Sequence, residues 1–320
     1  MPSIASHDSR SASIHGSKDW NRLPAEYAIP EAPPTEAEAR QYCRRLARTH
    51  YENFSVATWF LPERLRQHFF NVYAYCRISD DLGDEVGDPG VSLRLLDQWE
   101  AELDACYAGH ARHPVFVALA DTTRRFEIPK QTFVDLLSAF RQDQTVTRYP
   151  TFGDLLGYCH YSANPVGHLV LYVCGYRDAE RQALSDFTCT ALQLANFWQD
   201  VSSDYSRGRI YLPAEDMQRF GVTEDDIATQ RNTSAVRDLL RFEVERARDW
   251  FRKGLSLVGK VDRELAIDIE LFSRGGQEIL SAIEAQGYNV LGRRPAIPKS
   301  RKWALVMRAA WGRLSWVRPT

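Results

Sequence analysis

From residue 62 to residue 286 apolar side chains recur every three or four positions, and the strict alternation that marks a strand is almost absent. That spacing gathers the apolar residues on one stripe of a helix, so the chain has to bury its hydrophobic surface helix against helix. Breaks fall at Asp88-Pro89-Gly90, Arg148-Tyr149-Pro150, Gly175 and Gly208, residue types that end helices or open turns. Between them, helices are predicted over 62–86, 91–108, 114–126, 130–143, 151–175, 178–203, 214–220, 232–258 and 262–286. Thr35 followed by Glu38 forms a capping box ahead of a further helix reaching His50. With 320 residues, 44% of them hydrophobic and no internal repeat, the economical reading is one large all-α domain.

The termini differ from this middle. Residues 1–34 are rich in Ser and Pro, end in Pro33-Pro34, and are expected to form a mobile tail without secondary structure. The domain is expected over 35–295, and residues 296–320 form a basic, Trp-rich segment. From residue 293 on, Arg293, Arg294, Lys299, Arg301, Lys302, Arg308, Arg313 and Arg318 stand without an acidic residue, interleaved with Trp303, Trp311 and Trp316. This fits a helix lying on a membrane surface, cations toward lipid phosphates, or a basic helix packed on the protein's own acidic face.

A net charge of −2 and a pI near 6.5 exclude nucleic acid as the main partner. Six scattered cysteines without a Cys-x-x-Cys pair are expected to be reduced core residues of a cytoplasmic protein. Neither a membrane-spanning apolar run nor an export signal is present, so the expected location is cytoplasmic, with peripheral membrane contact through the basic segment.

Two stretches carry the chemistry. Tyr73, Arg77, Asp80 and Asp84 stand at helical offsets that place them within an arc of about 60°, and Gln193, Asn196, Asp200 and Asp204 fall within about 80°. Each stripe lies on a helix that is apolar elsewhere. Carboxylates on a buried helix are penalised by desolvation and mutual repulsion, a cost that hard divalent cations relieve. Mg2+ takes one or two carboxylates and completes its shell with water and phosphate, so two such stripes suggest a diphosphate held between metal ions. Either stripe alone fits a solvated helix end equally well.

Together, the two stripes resemble the paired aspartate motifs of the squalene/phytoene synthase family, and the likeness spans about residues 43–295. The resemblance implies a single-domain isoprenoid synthase fold, helices around a central hydrophobic cavity, with Asp80, Asp84, Asp200 and Asp204 as Mg2+ ligands and a long-chain isoprenoid diphosphate as substrate. It further implies catalytic roles for Tyr73, Arg77 and Tyr158, and substrate binding by His50, Asn53, Phe54, Gln193, Asn196, Gln199 and Arg209. Tyr158 also reads locally as a core tyrosine, Asn164-Pro165 with Gly167 as a packing kink, and Arg209 as a partner of Asp204. Phe54, Phe69, Val166 and Leu169 are expected to wall the hydrocarbon cavity.

Departures from the better-known members concern Gln199, where an arginine is usual, Asn53, where a serine is usual, and Gly275-Gly276, near the usual position of a phosphate-contacting tyrosine. The runs Tyr51-Glu-Asn-Phe and Asn196-Phe-Trp-Gln-Asp resemble the hopanoid branch, hydroxysqualene synthase, which ionises presqualene diphosphate and lets water capture the rearranged cation. Partner enzymes of squalene and hopanoid synthesis are then expected to supply the substrate. Ranked below it are condensation of two farnesyl diphosphates, condensation of geranylgeranyl diphosphate to phytoene, and a non-catalytic helical assembly protein.

Overall fold

The computed structural model describes residues 18–49 and 62–298, which form helices and turns with no strand among them. In chain order the α-helices are α1 (Glu36–Thr49), α2 (Glu63–Asp84), α3 (Pro89–Ala108), α4 (Pro114–Phe126), α5 (Lys130–Gln142), α6 (Phe152–Ser162), α7 (Asn164–Val173), α8 (Ala179–Ser206), α9 (Ala214–Phe220), α10 (Glu224–Ala228), α11 (Ser234–Gly254) and α12 (Arg263–Ala285). The 3-10 helix Leu255–Lys260 links the last two. The ends follow local chemistry. Thr35 and Glu38 exchange the expected capping-box bonds, Asp88 caps α3 ahead of Pro89, and Asp178 caps α8 through the Arg181 amide.

Two expectations on the helices need correction. The single helix read over 151–175 divides at Ala163, because Pro165 has no amide to continue the ladder and instead opens α7. The helix read over 232–258 ends at Gly254. The short α10 was not anticipated, although its capping box, Thr223 with Asp226, is legible in the sequence.

The tail expectation is corrected for residues 18–34. Lys18–Arg22 and Ala25–Tyr27 are 3-10 helices, and Trp20 and Tyr27 are buried in the same apolar cluster as α2 to α4. Their aromatic area outweighs the Ser and Pro content that argued for disorder. Residues 1–17 lie outside the described part.

One apolar cluster is built mainly from α1 to α5 with part of α7, and a second mainly from α6 and α8 to α12. A cavity of about 1010 Å³ is lined by residues of both. Close approach of α7 to α8 depends on Gly167, where a Cβ would stand 2.2 Å from Ser185 Oγ. All six cysteines are free, as expected.

Candidate active site

The two acidic stripes line the same cavity. Tyr73, Arg77, Asp80 and Asp84 reach it from α2, and Gln193, Asn196, Asp200 and Asp204 from α8. The loop after α8 joins them: Arg209 Nη1 and Nη2 donate to Asp84 Oδ1 at 3.0 and 3.1 Å, so the bridge crosses to the other stripe and not to Asp204. The loop is held by Arg209 N on Asp204 O, Ile210 N on Thr147 O, and Arg148 Nη1 on Gly208 O. Gly208 has φ +83°, a left-handed conformation that glycine adopts without strain. Arg207 also lines the cavity mouth, 3.9 Å from Asp84 Oδ2.

The carboxylates crowd one another. Burial, then the neighbouring Asp84, pushes Asp80 up to about 6, and burial, then Asp200, pushes Asp204 up to about 7. Asp80 keeps 49% of its side-chain surface open, but that surface faces the cavity. Arg294, from the segment after α12, pairs with both oxygens of Asp200.

No three acidic, His or Cys side chains among the described residues stand close enough to hold one ion by themselves. Ligand sets of one or two carboxylates per ion remain. Such sets suit Mg2+, which fills its other positions with water and phosphate oxygens. Charge crowding that a cation would relieve, with oxygen-only donors, fits that ion at this site.

Beside the acids stands an aromatic wall. Tyr158, Phe197 and Tyr211 all line the cavity; the Phe197 and Tyr211 rings stack at 3.9 Å, and Tyr158 stands 5.8 Å from Tyr211. The Tyr158 hydroxyl donates to Asp143 Oδ2 at 2.9 Å, while Asp143 Oδ1 is buried with no hydrogen-bond partner among the described residues. Burial pushes Asp143 up to about 7, against the lowering influence of Arg209. An aromatic ring carries the negative side of its quadrupole on its faces and can stabilise a cation without reacting with it.

Asp143, Phe197, Arg207 and Tyr211 were missed by the sequence reading. Arg207 and Tyr211 had a signal in their spacing around Arg209; Asp143 had none, being a lone acid at a helix end.

Several expected residues stand elsewhere. Gln199 does not line the cavity: its amide donates to Pro295 O at 2.7 Å and its Oε1 accepts from Arg294 at 3.1 Å, anchoring the segment that covers Asp200. Phe69 and Val166 line the cavity as expected, but Leu169 is fully buried in the core, because α7 turns that face toward α2 to α5. Neither Gly275 nor Gly276 lines the cavity. A Cβ on Gly276 would stand 2.3 Å from Phe251 Cζ and 2.9 Å from Leu192 Cδ2, so its smallness serves helix packing. His50, Asn53 and Phe54 lie outside the described residues.

Residues 47–301 match the family model described as squalene/phytoene synthase. A 15-cis-phytoene synthase of Synechocystis sp. is 32% identical over 296 residues, 88% of this chain and 88% of that protein. Among solved structures, squalene synthase HpnC from Alicyclobacillus acidocaldarius is 45% identical, with TM-score 0.76 over 85% of this chain and 99% of that one. A dehydrosqualene synthase in complex with ligand is 26% identical, with TM-score 0.79 over 88% and 98%.

Proposed function

Because this chain belongs to the squalene/phytoene synthase family, whose members act on isoprenoid diphosphates, we propose that it converts presqualene diphosphate to hydroxysqualene and diphosphate. The observation that carries this reading is the pairing of two acidic stripes with a cation-tolerant aromatic wall in one cavity. The 45% identity to squalene synthase HpnC, against 32% to the phytoene synthase, favours the squalene side of the family.

Asp80, Asp84, Asp200 and Asp204 would hold Mg2+ directly or through water, and the ion when bound would supply Lewis-acid neutralisation of the diphosphate charge. Arg207 and Arg209 line the same cavity and bind the phosphate oxygens as the carbon–oxygen bond breaks and its electron pair leaves with diphosphate, and Arg77, held on Asp81, adds its positive charge from α2. Gln193 and Asn196 orient that group from α8. The chain rearranges against Tyr158, Phe197 and Tyr211, while Phe69, Val166, Val170 and Leu171 keep bulk water from the cation until rearrangement is complete. One water oxygen then bonds to the cation, and its proton leaves through Tyr158 and Asp143. Tyr73 lines the same cavity from α2, one turn before Arg77.

The phytoene synthase relative supports a second reading, condensation of two prenyl diphosphates. The test is to incubate purified chain and Mg2+ separately with presqualene, farnesyl and geranylgeranyl diphosphate, and to identify the products by mass spectrometry. Hydroxysqualene from presqualene diphosphate alone is the expected result. A C30 product from farnesyl diphosphate alone, or phytoene from geranylgeranyl diphosphate, would replace it with the second reading.

A further inference from the structure

The end of α2 carries three acids in five residues, Asp80, Asp81 and Asp84, and only Asp80 and Asp84 face the cavity. Asp81 turns into the core, where it is 5% exposed. A carboxylate buried there has to be compensated. It accepts from Tyr27 Oη at 2.7 Å and from Arg77 Nε at 3.0 Å, and Arg77 Nη2 closes the second arm of a bidentate pair. The same guanidinium stands with Nη1 3.6 Å from Asp80. Two acids therefore compete for one cation, and the planar fork has gone to the buried one.

We propose that Tyr27 is a positioning residue that fixes Asp81, so that Arg77 stays on Asp81 and leaves Asp80 free to bind a divalent cation. The proposal rests on the reading of Asp80 as a metal ligand.

Tyr27 is well placed to act as a lock. Its ring is 1% exposed, its amide donates to Pro24 O at 2.9 Å, and the strap that carries it is tied down at several points. Tyr42 Oη donates to Glu26 O at 2.9 Å, Arg45 pairs with Glu26 at 2.8 Å, and Trp20 Nε1 donates to Gln98 at 2.9 Å. With the phenol oxygen present, Asp81 Oδ2 receives two donors and its rotamer is fixed. Without it, the carboxylate turns, the bidentate pair loosens, and Arg77 swings to the more open Asp80, taking the oxygens that a metal ion would use.

The test is Mn2+ binding to the full chain in the presence of inorganic diphosphate, followed by electron paramagnetic resonance and independent of turnover. Tyr27→Phe, which keeps the ring, is expected to weaken Mn2+ binding by about tenfold, the order set by one charge-assisted hydrogen bond. Asp81→Asn is expected to weaken it at least as much. In an Arg77→Gln background, Tyr27→Phe is expected to have no further effect, since the competing cation is gone.

Circular dichroism identifies any variant that fails to fold, and Tyr27→Phe decides the question if Asp81→Asn does so. Mn2+ binding by folded Tyr27→Phe equal to that of the parent chain overturns the proposal alone. So does an equal weakening by Tyr27→Phe in the Arg77→Gln background. A parent chain that binds no Mn2+ overturns both the proposal and the metal-ligand reading beneath it.

Discussion

Asp80, Asp143 and Asp204 bind protons up to about pH 6, 7 and 7, against an ordinary value of 3.8, because burial and neighbouring acids oppose their charge. A folded value above the unfolded one means that this contribution to stability is complete below about pH 4 and is lost as pH rises through 6 to 7. His68 and His113, held neutral by burial, run the opposite way as pH falls below 6.5. The informative quantity is therefore the increment that a cation adds. Mg2+ with inorganic diphosphate is expected to raise the melting temperature most at pH 8 and much less at pH 5.5, where protons already occupy the carboxyls. Calorimetry checks this, and Asp204→Asn is expected to flatten the pH dependence of the increment. The stripes were legible from helical spacing alone, whereas Asp143 was not, since its role comes from Tyr158 on α6 and Arg209 in the loop after α8.

Adjacent glycines on α12 show how packing between elements assigns opposite values to the same residue type. At Gly275 an added Cβ meets nothing within 4 Å, so Gly275→Ala is expected to stabilise the chain by about 0.5–1 kcal/mol through helix propensity. At Gly276 the same atom would press on the fully buried Phe251 ring and on Leu192, which lines the cavity. Gly276→Ala is expected to destabilise by about 1–3 kcal/mol. Urea denaturation of the two variants, compared with the parent, checks both signs. In the sequence the pair read as the loss of a phosphate-contacting tyrosine. The helix–helix contact that Gly276 permits is invisible there, because neither Phe251 nor Leu192 has a local relation to it. Most helix boundaries were legible, because caps and prolines act locally; the division at Ala163 was visible only as a kink.

At the scale of the whole molecule, no helix of the described residues is long and apolar enough to cross a membrane. A water-poor substrate still has to be delivered. Residues 299–320 carry six Lys or Arg, no acid and three Trp, which we propose dock on anionic lipid. The chain is expected to sediment with vesicles containing anionic phospholipid, to release as salt rises, and to lose binding when residues 299–320 are deleted; vesicle co-sedimentation checks this. The sequence by itself determined the all-α class, most helices and the two acidic stripes, because periodicity and caps are local properties of the chain. Only the tertiary structure decided that Arg209 serves Asp84, that Arg294 covers Asp200 with Gln199 as its anchor, and that Tyr27 belongs to the core beside Asp81. Those pairings join residues 54 to 125 positions apart, and a cation or a phenol in the sequence carries no mark of which distant acid packing will bring to it.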